Sequence, residues 1–319
     1  AKSSRTISID TPLYQIEISE QGAAVKNFAL KNYRASNQDN APLKQLVTDI
    51  LTDGVFLLDL SRQSISGLKT AVYTAQMDMD HLRFSSGEKT LAFTAQTPQG
   101  IVVKKIFTFR ADSYMINCDI VLQNGSAMPL NDAITITIPG HYDKEVKSRS
   151  RFAFEGPLAF VNKEFLTIKP DDIEEQDTYT GNIEWIGYSE RYFMTTVLPR
   201  QVEGTPLPDT TLKLSYADNR VTSSLVYPMD RLDPGKQGVY PFTFYMGPKS
   251  QKILGDYDNS LKAAVNFGFF NMLAKPLLVI MNTIHDYIPN YGIAIILLTI
   301  FIKLVFWPLG TKSYKSMNA

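Results

Sequence analysis

Cysteine is almost missing from this chain. Cys118 stands alone among 319 residues, so no internal disulfide can form, and its place in an alternating segment marks it as a buried core thiol. Histidine is nearly as scarce: His81, His141 and His285 lie far apart and supply no zinc-type ligand cluster. Charge of one sign is lacking too, with 32 Lys and Arg against 32 Asp and Glu. That balance argues against a polybasic nucleic-acid binder. No nucleophile elbow, phosphate loop or dinucleotide fingerprint occurs, so the sequence predicts no catalytic set, no metal and no cofactor. The opening AKSSRTISID has no apolar signal region.

Long apolar runs are absent except for one. Residues 292–309, GIAIILLTIFIKLVFWPL, carry a single charge, Lys303. Eighteen residues at about 1.5 Å each reach roughly 27 Å, enough to cross a bilayer with interfacial flanks. Lys312 and Lys315 follow this stretch, whereas His285 to Tyr291 offers only Asp286, so the C-terminal end is expected in the cytoplasm and everything before Gly292 outside. An exported domain of this size needs a targeting signal, so an upstream signal peptide or anchor is expected, and Ala319 reads as a cut.

Thr6 to Met246 reads as strands. From Tyr114 to Gln123, the residues Tyr114, Ile116, Cys118, Ile120 and Leu122 share one face, with Asn117, Asp119 and Gln123 on the other. Asn124-Gly125 then supplies a turn. The same alternation recurs at Tyr14, Ile16 and Ile18, at Phe107 and Phe109, at Ile134, Ile136 and Ile138, at Leu212, Leu214 and Tyr216, and from Tyr240 to Met246. With Pro139-Gly140, Gly204 to Pro208 and Pro234-Gly235 as punctuation, the pattern predicts an antiparallel sandwich. KPDDIEEQ, residues 169–176, reads as a solvated loop, and His141 as an exposed turn residue.

After Met246 the period changes. Ile253, Leu254, Tyr257, Leu261, Ala264, Val265 and Phe269 recur at helical spacing, with breaks at Gly255 and Gly268. Pro276 is placed for the first turn of a further helix. There Leu277, Leu278, Met281, Ile284 and Ile288 gather on one side, opposite Asn282, His285 and Asp286, as expected of a helix lying in the outer membrane interface. A helix packed on the β domain would show the same pattern. Lys303 also has two readings: its stem snorkels toward the headgroups, or its ammonium faces a polar cavity.

Five segments resemble YidC family membrane protein insertases. LTIFIKLVFWPLGTKSYKSM is similar to that family's second transmembrane helix, and FGFFNMLAKPLLVIMNTIHDYIPNYG to its interfacial helix. TPLYQIEISEQGAAVKNFAL, KKIFTFRADSYMINCDIVLQN and EWIGYSERYFMTTVLP resemble its Gram-negative periplasmic domain.

The resemblance implies a mainly β chain. A large antiparallel β-supersandwich occupies residues 1–248 in the periplasm and connecting helices 249–275. An interfacial helix and turn follow at 276–291, a transmembrane helix at 292–309 and the start of a cytoplasmic loop at 310–319. It implies a non-enzymatic insertase of the bacterial inner membrane whose hydrophilic groove carries a basic residue. Its partners would be nascent membrane proteins, Sec translocon components and membrane lipid. Lys303 holds the basic position, where the family usually has Arg, so the charge is kept and the guanidinium fork is lost. The alternatives are a membrane-anchored periplasmic carbohydrate-binding or mutarotase-like β-sandwich protein, and a single-span structural adaptor.

Overall fold

The structure is a computed structural model. It describes residues 4–48, 50–62, 65, 67–143, 154–202, 204–257, 260–265 and 271–317, the side chains of 271–275 and 308–317 excepted. Gly268 and Phe269 lie outside the described residues, as do the side chains of Lys312 and Lys315.

The first strands are β1 (Thr6–Asp10), β2 (Tyr14–Ser19), β3 (Ala24–Arg34), β4 (Leu43–Val47), β5 (Leu57–Leu60), β6 (Thr74–Ala75) and β7 (His81–Arg83). There follow β8 (Glu88–Gln96), β9 (Ile101–Arg110), β10 (Met115–Asn124), β11 (Ala133–His141), β12 (Gly156–Val161) and β13 (Glu164–Thr167). The last are β14 (Thr178–Gly181), β15 (Ile183–Ser189), β16 (Phe193–Pro199), β17 (Thr210–Ala217), β18 (Arg220–Pro228) and β19 (Gln237–Pro248).

They form three sheets, ordered β4-β3-β2-β1-β7, β13-β12-β15-β16-β19-β10-β9-β8-β6 and β14-β17-β18-β11-β5. Described pairings are antiparallel except β1 with β7. The third sheet packs on the β12–β15 half of the nine-stranded sheet.

Alternation explains the registers. In β10, Ile116, Cys118, Ile120 and Leu122 are all buried between β9 and β19. The β9 strand buries Ile101, Val103, Lys105, Phe107 and Phe109. Lys105 is thus the one cation on an apolar inward face. Its Nζ donates to the carbonyls of Ala23 (2.7 Å), Phe56 (3.0 Å) and Gly22 (3.3 Å). Burial pushes its pKa down to about 8, with Cys118 opposing. All three carbonyls belong to left-handed residues, with φ of 71° at Gly22, 43° at Ala23 and 58° at Phe56. An ammonium has three donors, and here each meets a carbonyl of a strained turn.

Asn124 closes β10 as the turn reading expects: its amide donates to the carbonyls of Met128 and Leu232, both at 2.8 Å, and its oxygen accepts from Ser126 N at 3.0 Å. Pro139-Gly140 is not punctuation. Both residues continue β11, paired with Thr222 and Val221 of β18, and Gly140 is there because Tyr188 leaves no room for a side chain. His141 accordingly ends a strand instead of following a turn. Within 169–176 a 3-10 turn, Pro170–Glu174, buries Pro170 and Ile173 and leaves the acids in water.

The chain divides into two compact units, Ala1–Ala264 and Val265–Ala319. The first includes helix α1 (Gln251–Gly255) and a 3-10 turn, Leu261–Ala264, which bury Leu254 and Leu261 fully. Tyr257 between them accepts a hydrogen bond at its hydroxyl from Tyr114 N, 2.9 Å away.

The second unit is a helix pair, α2 (Asn271–Tyr287) and α3 (Tyr291–Met317). Pro276 is inside α2, not in its first turn, because the helix begins five residues earlier. Asn290 caps α3: its side-chain oxygen accepts from Gly292 N (2.9 Å) and Ile293 N (3.3 Å), filling two donors that a helix start leaves open. The His285 and Tyr291 rings stack across this corner at 3.8 Å.

Candidate functional site

Two places in the chain carry features that packing alone does not require. The first is a groove of about 400 Å³ in the β unit. One wall is β4 with the loop behind it, contributing Lys44, Leu46 and Leu51; the other is the β15–β16 turn, from Tyr188 to Thr195. The end of β11 closes the floor with Gly140 and His141. A smaller hollow of about 340 Å³ shares Ile50, Leu51 and His141 with it and runs on to Ser215 and Thr222.

Polar ties shape this groove. Lys44 Nζ lies 2.5 Å from Glu190 Oε2 and over the Phe193 ring. Lys249 Nζ donates to Ser189 Oγ at 2.7 Å, and burial lowers its pKa to about 8 against the attraction of Glu190. A lysine beside a serine has the form of a base and nucleophile, but the Ser189 hydroxyl donates to the Glu190 carbonyl at 2.9 Å and the residue is 1% exposed. It is a tie between the β15 end and the β19 end, closed to a substrate. The Tyr188 hydroxyl donates to the His141 carbonyl at 2.5 Å, and burial raises its pKa.

A Cβ at Gly140 would lie 2.2 Å from the Tyr188 ring. Gly140→Ala should therefore displace that ring, break its bond to His141 and lower the unfolding free energy by about 1–3 kcal/mol. Urea denaturation followed by circular dichroism measures this; an unchanged midpoint would show that the ring is not held there.

The second place is α3. Most of its described side chains are exposed, including Ile296 (60%), Leu304 (64%) and Trp307 (68%), while one stripe of Ala294, Leu298 and Ile302 is buried or half-buried. Lys303 is among the exposed side chains. Thr299 Oγ1 satisfies itself by donating to the Ile295 carbonyl at 2.7 Å. In α2, Leu277, Leu278, Met281 and Ile284 are half-buried, and Ile288 just beyond it is exposed.

Among the described residues no helix is long and apolar enough to cross a membrane. The described side chains of α3 stop at Trp307, about 26 Å along the axis, and Pro308 and Leu309, which complete the predicted span, lie outside them. Among the described residues, too, no group of His, Cys, Asp and Glu is placed to hold a metal ion.

The groove was not visible in the sequence, because its walls come from three sheets. The one available signal was the segment EWIGYSERYFMTTVLP, whose middle forms the β15–β16 turn.

The β unit has the fold of the mutarotase-like sandwiches. A galactose mutarotase related enzyme from Lactobacillus acidophilus superposes with a TM-score of 0.50 at 9% identity, covering 76% of this chain and 97% of its own. The family is narrower than the fold: residues 6–280 match the YidC periplasmic domain, and the chain belongs to that family. Its relatives include proteins named membrane protein insertase YidC, from Syntrophus aciditrophicus and from Pelobacter propionicus. Each is 34% identical over 98% of this chain, covering 57% and 56% of the relative. The chain thus spans a little over half the length of these curated relatives.

Proposed function

We propose that this chain is the periplasmic portion and one groove wall of an inner-membrane protein insertase. The observation that carries the reading is α3, apolar all round and exposed on all but the stripe of Ala294, Leu298 and Ile302: water would penalise each exposed apolar side chain, and lipid would not. Family membership supports it, since relatives bear the name membrane protein insertase.

In this reading residues 1–248 form a periplasmic β-supersandwich, followed by connecting helices at 249–275. Residues 276–291 lie in the outer interface on Leu277, Leu278, Met281, Ile284 and Ile288, and 292–309 cross the bilayer. Lys312 and Lys315 hold the C-terminal end in the cytoplasm. Chain segments outside these 319 residues complete the groove. The partners are nascent membrane proteins, Sec translocon components and lipid, and no covalent chemistry is involved.

Lys303 is the working residue. An ammonium at mid-helix costs about 2.5–3.5 kcal/mol in hydrocarbon, so it keeps water beside it and attracts acidic or polar parts of a substrate while the apolar segment enters lipid. In the full-length protein, Lys303→Glu should lower insertion of an acidic-tailed substrate by about tenfold, equivalent to roughly 1.4 kcal/mol. Lys303→Ala should lower it less, and Lys303→Arg should insert normally. Protease protection of the translocated tail reads this out. If the Glu and Ala variants both insert as wild type does, Lys303 only snorkels and the groove reading fails.

A further inference from the structure

The groove of the β unit has uncommitted positive charge. Of its acids, Glu190 is engaged by Lys44 and Glu155 has a partner of its own. The cations on its rim are not matched. Arg34 makes one hydrogen bond, Nη1 to the Ala41 carbonyl at 3.3 Å, and Arg191 stacks over Tyr192 with its guanidinium carbon 5.3 Å from the ring centroid. Neither guanidinium has a carboxylate partner among the described residues. Both are exposed, and a guanidinium fork held over an open groove is suited to a carboxylate.

The groove also has an open backbone edge. β4 ends the order of its sheet, paired with β3 on one side only. No backbone hydrogen bond reaches its outer side among the described residues. Lys44 and Leu46, two residues apart and so on one face of this strand, both line the groove, which makes this edge strand one of its walls. A free edge beside a channel is the geometry in which an extended chain adds as a further strand, its main chain bonding to the edge and alternate side chains entering pockets. The shape agrees: the two hollows are neighbours that share Ile50, Leu51 and His141, and Ile50 (59%) and Tyr192 (63%) leave apolar surface at the rim.

We propose that this groove binds an extended polypeptide segment carrying carboxylates, which pairs along β4 and is held by Arg34 and Arg191. The site lies wholly in the β unit and is separate from the role assigned to Lys303.

The test uses the whole chain in non-ionic detergent at neutral pH. The probe is a fluorescein-labelled peptide of roughly ten residues alternating valine with glutamate, long enough to follow the edge strand. Fluorescence anisotropy should give saturable binding. The same peptide with lysine for glutamate should bind at least about tenfold more weakly, a difference of ~1.4 kcal/mol. Arg34→Glu combined with Arg191→Glu should weaken the glutamate peptide by a similar factor while leaving the circular dichroism unchanged, since both side chains are exposed. Methylating alternate backbone nitrogens of the peptide should weaken it as well.

Four results would each overturn the proposal. They are no binding up to about 1 mM peptide, the weak end of measurable affinity, equal binding of the lysine peptide, and full binding by the double variant. The fourth is complete displacement by citrate at equal carboxylate concentration, which would make the groove a small-anion site.

Discussion

Above about pH 10 the β unit should unfold in one cooperative step, driven by its buried tyrosines. Tyr14, Tyr73, Tyr188 and Tyr245 are each 7% exposed or less, and burial raises the pKa of all four. Among the described residues the hydroxyls of Tyr14 and Tyr73 have no hydrogen-bond partner, and that of Tyr245 donates to the Pro248 carbonyl at 2.7 Å. In the unfolded chain a tyrosine ionises near pH 10. Above that value the folded state holds more protons than the unfolded state, so stability falls as pH rises. Each such group removes about 1.4 kcal/mol per pH unit, or roughly 5–6 kcal/mol per unit for the four together. Against a typical total of about 5–15 kcal/mol, that ends the folded state within a few pH units.

Lys105 and Lys249 act in the opposite sense at lower pH. Burial lowers both to about 8, so between there and about 10.4 the unfolded chain binds more protons and stability rises. Urea titrations across pH should therefore show a rise from about pH 8 with roughly half the slope of the fall that follows above about pH 10. Tyrosinate absorbance should show the buried group ionising together with loss of the sheet signal. Gradual ionisation of every tyrosine with the sheet intact would contradict the packing described.

The second large effect is expected at Gly22. Its φ of 71° is left-handed, and a Cβ there would lie 2.3 Å from the Lys69 carbonyl oxygen. Backbone cannot give way as a side-chain tip can, and Gly22 is also tied by its own carbonyl to Lys105. Gly22→Val should lower the unfolding free energy by about 3–5 kcal/mol, combining left-handed strain with overpacking. Gly87 separates the two causes: its φ is 73° with nothing within 4 Å of a built Cβ. Gly87→Val should cost only the strain, about 1–3 kcal/mol. Equal losses in the two variants would show that the Lys69 contact and the Lys105 clamp contribute nothing.

The strands were legible in the sequence because a period of two is a local signal. Tyr114 to Gln123 alternates cleanly, and the strand that forms there buries the residues named, starting one residue later at Met115. Residue type and strand register disagree at two places. Pro139-Gly140 reads as a turn, yet β18 pairs straight through it, and the small residue answers to Tyr188, which is 48 positions away. Lys105 is another residue whose type misleads: two adjacent lysines in KKIF suggest surface charge, although the register of Val103 and Phe107 places Lys105 inward.

Pro276 shows the limit of a rule about helix starts, since the helix runs on through it. The groove could not be read at all. Arg34, Lys44, His141 and Glu190 meet only because three sheets converge, and no spacing along the chain records that. The apolar run at 292–309 was the clearest signal, and α3 covers it from Tyr291.

The lone thiol has a practical consequence. Cys118 is 0% exposed, and burial pushes its pKa to about 12, so neither access nor ionisation favours attack by a thiol reagent while the β unit is closed. The folded molecule is in effect blank to maleimides. A cysteine introduced at an exposed position such as Tyr192 would be a unique attachment point for a dye or cross-linker. The native thiol would meanwhile keep time, its slow labelling counting how often the centre of the nine-stranded sheet comes open.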